Sequence, residues 1–279
     1  LSDSRLTSLN ERLRNLAAAE GVAAERVRNR LAFQRILARL ARQEGWVLKG
    51  GFCLEIRLGL QARATKDLDL LRHGDPTLGG TDLQDLLDEA LDVDLGDAFT
   101  FRVRPPRQVR AEDEAPSTWR VVVDVLFERR QFGMATVDVV TRPAFPEAAT
   151  EHLLIESTLV GDAFTMPAVS LGRHSAEKFH AYARIYAHER PSSRVKDLVD
   201  LALMVEEGPL EPGGLREHLT AVFAERDGAA PPPTLPAPPL EWAAPFARLA
   251  AESGLTVHDH NEAWRIALTT YTNALEETL

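Results

Sequence analysis

Two stretches decide the reading: Trp46-Val47-Leu48-Lys49-Gly50-Gly51, and Arg63-Ala64-Thr65-Lys66-Asp67-Leu68-Asp69. In the first, a short apolar run enters a Gly-Gly turn, and Phe52 to Leu58 continues with helical spacing. A Gly-Gly turn that opens a helix exposes backbone N–H groups at the positive helix end, a natural seat for phosphate. In the second, Leu68, Leu70 and Leu71 flank two aspartates in a strand. Side chains on a strand alternate with period two, so Asp67 and Asp69 share a face. Two like charges so close are costly unless a cation lies between them. Oxygen ligands at that spacing suit Mg²⁺, which also grips substrate phosphates. Either half alone is common, in plain turns or on solvated strand edges. Their order, strand–Gly-Gly–helix–R-x-T-x-D-x-D–strand, is far more restrictive.

Outward from this centre, leucines at three- and four-residue spacing predict helices over residues 4–20 and 22–44. An acidic helix is expected over 81–95 and a strand from Phe99 to Val103. Arg120 to Phe127 and Phe132 to Thr141 read as a hairpin. Helices are expected from Ser175 to Glu189, from Val195 to Glu206, and near 241–252 and 258–277. Ala229 to Leu240 holds six prolines in twelve residues and reads as a stiff extended connector rather than a packed element. The expected class is α+β: a small mixed sheet with helices in an N-terminal lobe over residues 1–165, and a mainly helical C-terminal lobe over 166–279.

Composition narrows the function. The chain has 279 residues, 44% hydrophobic and only 6% aromatic, so Leu, Val and Ala must build the core. A net charge of −10 argues against wholesale coating of nucleic acid. Two arginine clusters stand out all the same. Arg26, Arg28, Arg30, Arg35, Arg39 and Arg42 form one; Arg102, Arg104, Arg107 and Arg110 form the other. Each reads as a solvated surface and is compatible with RNA backbone contacts. The single cysteine, Cys53, excludes an internal disulfide and has no visible activating base. His258-Asp259-His260 looks like a metal pair, but residues i and i+2 face apart on a helix. Leu1 to Asn10 lack the marks of a secretory signal, and no run of about 18 apolar residues occurs. A cytoplasmic protein without a membrane span is expected.

Taken with two downstream blocks, the motif resembles that of the AbiEii/AbiGii-type nucleotidyltransferase toxins, including the mycobacterial MenT group. Gly50, Gly51, Arg63, Thr65, Asp67 and Asp69 match the family pattern of Gly-Gly followed by R-x-[ST]-x-D-[LIF]-D. Glu177-Lys178-Phe179-His180-Ala181 is similar to its helical lysine motif, and Lys196-Asp197-Leu198-Val199-Asp200-Leu201 to its D-[LF]-x-D-L motif. The resemblance implies a polymerase-β-like nucleotidyltransferase core whose cleft binds an NTP. Asp67 and Asp69 would hold Mg²⁺ or Mn²⁺. A third carboxylate comes from Asp138 or Asp124, and the family pattern favours Asp138. Lys178 would meet the triphosphate, with Asp200 orienting it or the acceptor. Nucleotide binding falls to Gly50, Gly51, Lys49, Lys66, Arg63 and Thr65. The resemblance also implies a tRNA acceptor modified at its 3′ end, pyrimidine nucleotides as donors, arrest of translation and a cognate antitoxin. A small-molecule (antibiotic) or a protein acceptor is the alternative. One departure stands out: the family often carries Ser or Thr after Gly-Gly, and here Phe52 occupies that position. A phosphate on Thr65 would repel the carboxylates, but a hydroxyl capping the turn is the plainer role.

Overall fold

The computed structural model describes residues 2–109, 118–143, 145–186, 190–191, 194–208 and 212–276. Arg110, one of the second arginine cluster, lies outside them, as do residues 187–189 of the helix expected from Ser175. The chain divides into two compact units. One holds Leu1–Ile56 and Thr65–Ala168, the other Arg57–Ala64 and Val169–Leu279.

In the first unit, helices α1 (Ser2–Ala19) and α2 (Ala24–Leu40) precede β1 (Trp46–Lys49) and α3 (Gly50–Leu58). Then come β2 (Asp67–His73), α4 (Gly80–Leu91), β3 (Phe99–Val103), β4 (Arg107–Val109), β5 (Thr118–Phe127) and β6 (Arg130–Arg142). Two more strands follow, β7 (Thr150–Ile155) and β8 (Phe164–Val169). All eight join one sheet in the order β3-β5-β6-β2-β1-β8-β7, with β4 also on β5. The sheet is mixed: β2 runs parallel to β6 and β1 parallel to β8, while β1–β2, β3–β5 and β5–β6 are antiparallel.

Strand periodicity sorts the two faces. Val121, Val123 and Val125 of β5, Val137 and Val139 of β6, and Leu68 and Leu70 of β2 are buried. They form one core cluster with Leu9 and Leu13 of α1, Leu31, Phe33 and Ile36 of α2, and Leu83 and Leu87 of α4. The alternate residues, Arg120, Asp138, Asp69 and Lys49 among them, belong to the other face. The β5–β6 hairpin carries a bulge between Val125 and Leu126 in its pairing: Leu126 opposes Gln131, but Val125 opposes Gly133, so Phe132 is the extra residue. Beyond it, β6 changes phase. Phe132 is buried before the step, and Ala135, Val137 and Val139 after it.

The sheet is larger than the sequence suggests, for β4, β7 and β8 were not foreseen. Glu151 and His152 interrupt the alternation of β7, and Pro167 stands within β8, where proline argues against a strand. The acidic helix stops at Leu91 rather than 95, and Ala98 takes a left-handed φ of 64° on the way into β3. The first arginine cluster is mostly turned inward rather than solvated. Arg26 and Arg30 pair with buried Glu55, and Arg28 donates to Asn10. Arg39 makes a bidentate bond to Asp97 at 2.8 and 3.0 Å, and Arg35 stands 3.7 Å from the same carboxylate. All three side chains are buried.

The second unit is helical. It contains α5 (Leu171–Ala183), α6 (Val195–Glu207), α7 (Pro212–Asp227), α8 (Ala243–Glu252) and α9 (His260–Glu276). Ser170 caps α5 by accepting from the Arg173 amide. Instead of running to Glu189, α5 ends at Ala183, and a two-residue ladder follows in which β9 (Ile185–Tyr186) pairs with β10 (Arg190–Pro191). Helix α7 was not foreseen either. The Pro-rich segment is irregular, as its composition requires, but it is packed rather than a free connector. Leu235 is buried, Tyr182 donates to the Pro236 carbonyl at 2.8 Å, and Tyr271 to that of Pro232 at 2.6 Å. Among the described residues no helix is long and apolar enough to cross a membrane.

Removing Asp97 leaves the buried Arg39 guanidinium without its carboxylate and takes from Arg35 its largest favourable charge, the costly way to break a buried pair. Asp97→Ala should lower the stability of the first unit by about 3–5 kcal/mol, read from the urea midpoint; a change below about 1 kcal/mol would show that water reaches Arg39.

Candidate active site

The site begins at the β1–α3 turn. Gly50 has φ +67°, a left-handed conformation that glycine adopts without penalty. A Cβ there would lie 2.0 Å from Asp69 Oδ2 and 2.5 Å from its Cγ. The missing side chain is therefore the space that the Asp69 carboxylate occupies. Phe52, which stands where the family often has Ser or Thr, is fully buried and meets Phe33 edge-on at 5.0 Å. Its side chain serves the core rather than the turn.

Strand register then sets a row of charges across the sheet. Lys49 of β1 opposes Asp69 of β2, Asp69 opposes Asp138 of β6, and Asp138 opposes Arg120 of β5. Neighbouring strands lie about 4.8 Å apart, so the four side chains are direct neighbours on one face. Asp67 lies two residues along β2, opposite Thr136. Arg120 grips Asp138 with both arms, Nε to Oδ1 at 2.8 Å and Nη2 to Oδ2 at 2.7 Å, and Nη2 stands 3.9 Å from Asp67 Oδ2. These bonds to Asp138 hold the Arg120 guanidinium above its already high pKa. Thr65 donates to the Asp67 carbonyl at 3.0 Å, so its hydroxyl ties down the turn into β2. Lys66 is exposed and Lys49 half-exposed.

Asp124 sits elsewhere. It opposes Met134, four residues and roughly 13 Å along β5 from Arg120 at strand rise. Arg104 holds it at 2.6 and 3.0 Å, which keeps its carboxyl below the usual range.

A second cluster belongs to the helical unit. Lys178 of α5 reaches Asp197 Oδ1 at 2.9 Å and Asp200 Oδ2 at 2.7 Å, both from α6. Arg63 donates to Asp200 through Nε at 3.2 Å and Nη2 at 3.4 Å, and Arg194 stands 2.8 Å from Asp197. Both aspartates thus engage the lysine, and Arg63 of the sequence motif belongs to this cluster. Burial works against the Lys178 charge, but Asp200 and Asp197 outweigh it and hold the lysine above its ordinary value. Burial likewise pushes the Asp200 carboxyl up, and Lys178 and Arg63 overcome it, leaving it below the usual range. His174, one turn before Lys178, is buried and neutral: burial first, then Lys178 and Arg57, push its pKa down to about 3.

A divalent cation fits the first cluster in donor chemistry. Hard carboxylate oxygens of Asp67 and Asp69 sit side by side, and a cationic group, the Arg120 guanidinium, already stands among these acids. Yet among the described residues no three His, Cys, Asp or Glu side chains are grouped as a ready metal site. Asp138 is turned onto Arg120. Sequence reading passed over Arg120, because its placement opposite Asp138 depends on the bulge. A register counted back from the tight turn, where Phe127 opposes Arg130, would set Arg120 against Val137.

A family model described as nucleotidyl transferase AbiEii toxin, type IV TA system, matches residues 32–276. Among solved structures, the nucleotidyltransferase toxin MenT4 from Mycobacterium tuberculosis H37Rv aligns with a TM-score of 0.58 at 20% identity, covering 95% of this chain and 90% of that one. At that identity the likeness is one of fold. An antigenic nucleotidyltransferase-like protein from Paracoccidioides brasiliensis aligns with a TM-score of 0.40 at 14% identity, covering 71% and 89%. No curated protein sequence matches the chain.

Gly50 and Gly59 both have positive φ, +67° and +68°, but only Gly50 is crowded. Alanine at Gly59 should therefore cost only the backbone penalty, about 1–2 kcal/mol. Gly50→Ala should cost a further 1–3 kcal/mol or so for displacing Asp69. Equal losses in chemical denaturation would show that the Asp69 contact is slack.

Proposed function

The chain belongs to the AbiEii nucleotidyltransferase toxin family of type IV toxin–antitoxin systems, and from that premise we propose that it transfers a nucleoside monophosphate, preferentially a pyrimidine nucleotide, from an NTP to the 3′ end of a tRNA. A tRNA so capped cannot be aminoacylated, and translation stops; an antitoxin is the partner that relieves the block. The observation that carries this reading is the row Lys49–Asp69–Asp138–Arg120 beside Asp67. It gathers hard anionic ligands next to a glycine turn on one sheet face.

Asp67 and Asp69 are the residues that would hold Mg²⁺ or Mn²⁺, joined by Asp138. When bound, the cation supplies charge neutralisation and polarisation of phosphate oxygens. The protein's own groups do the rest. The turn at Gly50 and Gly51 offers backbone N–H groups to the phosphates. Lys49 and Lys66 add positive charge beside it. The acceptor oxygen forms its bond to the α-phosphorus as the bond to the bridging oxygen breaks, and pyrophosphate carries away the electron pair. The acceptor proton passes to a carboxylate of the group. In the helical unit, Lys178 is the compact cation that the family resemblance assigns to the triphosphate. Asp200 fixes its position at 2.7 Å.

The surroundings of the carboxylate row favour a polyanionic acceptor. Exposed Arg107 of β4 opposes Arg120, and exposed Arg102 of β3 opposes Asp124, on the same face as the row. An arginine-bearing approach suits an RNA backbone better than a cationic small molecule.

With total tRNA, Mg²⁺ and each α-labelled NTP in turn, the wild type should label tRNA, most strongly with a pyrimidine nucleotide. Asp69→Asn should lose about 100-fold or more of that labelling. Labelling retained by Asp69→Asn rejects the site; absence of label on tRNA with label on another acceptor rejects the tRNA reading alone.

A further inference from the structure

Arg120 is half-exposed, yet its placement is specific. It is the direct cross-strand neighbour of Asp138, makes two charge-assisted bonds to it at 2.7 and 2.8 Å, and reaches within 3.9 Å of Asp67. It thus supplies one positive charge to a trio of carboxylates whose members lie at strand and pleat spacing. Like charges at such spacing repel unless a cation screens them. The Arg120 side chain is 46% exposed, so it has room to swing into solvent. Arginine does not lose its charge, so it can release Asp138 only by moving. Asp138 is 15% exposed and its partner half-open to water, so the pair is partly screened, and a doubly charged ion competes for the same oxygens with twice the charge.

We propose that Arg120 is a displaceable counter-ion, which holds Asp138 while the site is without a cation and gives it up when a divalent cation binds at Asp67 and Asp69. The inference rests on the reading of those two aspartates as cation ligands. Arg120 is a positioning residue in this scheme. It keeps the acids from splaying apart, and it makes cation binding weaker than three free carboxylates would allow. Once released, its planar fork suits a phosphate oxygen pair as well as it suits a carboxylate. The arrival of nucleotide then offsets the bond that Arg120 gives up, and cation and nucleotide binding favour each other.

The test is Mn²⁺ affinity of the full chain without nucleotide, followed by electron paramagnetic resonance of the free ion. Arg120→Ala should bind Mn²⁺ roughly fivefold more tightly than wild type, the size of one partly exposed ion pair. Arg120→Lys, which keeps the charge but loses the fork, should fall between them. In Arg120→Ala/Asp138→Asn the gain should vanish. A merely structural role for Arg120, pinning β5 to β6, would leave Mn²⁺ affinity unchanged. Affinity equal to or below wild type in Arg120→Ala, with binding abolished in Asp69→Asn, overturns the counter-ion and leaves the cation site standing. Mn²⁺ binding that survives both Asp67→Asn and Asp69→Asn overturns the cation site, and the counter-ion with it.

Discussion

Three carboxylates on neighbouring positions of one sheet face cannot be held without positive charge nearby, and the first unit is arranged around that constraint. Asp67 and Asp69 come from one strand, and Asp138 comes from the strand parallel to it. The opposite face of the same strands is filled with valine and leucine against three helices. The rigid apolar side fixes the strands, and the strands fix the acids. Lys49 and Arg120 close the row at either end. The glycine turn then removes the one side chain that would collide with Asp69.

The helical unit solves a similar problem with the signs reversed. Here a lysine is taken largely out of water and kept charged by two aspartates on one face of α6, three residues apart. Neither carboxylate could be buried alone, and neither could the lysine. Arg63 and Arg194 complete the network, so truncating any member exposes the others to an unbalanced charge. His174 beside it stays neutral, which keeps a further positive charge out of the cluster.

Much of this was legible in the sequence because it is local. Turn glycines, a D-x-D strand, hairpin arms and helix periodicity depend on residues within a few positions of each other. Asp67, Asp69, Lys178 and Asp200 were found this way or through the resemblance. What escaped depends on partners far away in the chain. The strands at Thr150 and Phe164 carry charge or proline and are strands only because the sheet has room beside β1. Arg35 and Arg39 look like surface residues until Asp97 arrives from 58 residues away to bury one of them in a bidentate pair. Phe52 looked like a defect in a phosphate turn, and is a core residue packed on Phe33. The Pro-rich stretch reads as loose until two tyrosine hydroxyls pin its carbonyls.

The extra residue at Phe132 has a wider meaning. It resets the alternation of β6, so that everything beyond it presents the opposite set of side chains to β5 from the one the turn would dictate. Spacing along this arm is thus a functional quantity, as much as the identity of any residue on it. An arm that kept all its residues but paired regularly from the turn would set Arg120 against Val137 and turn Asp138 to the opposite face of the sheet, whereas an arm shortened by that one residue would lose the bulge and keep the pair. Among relatives, a change of length between the turn and Asp138 should therefore be matched by a bulge gained or lost. In this hairpin, length and bulge together set which residues face one another in the candidate site.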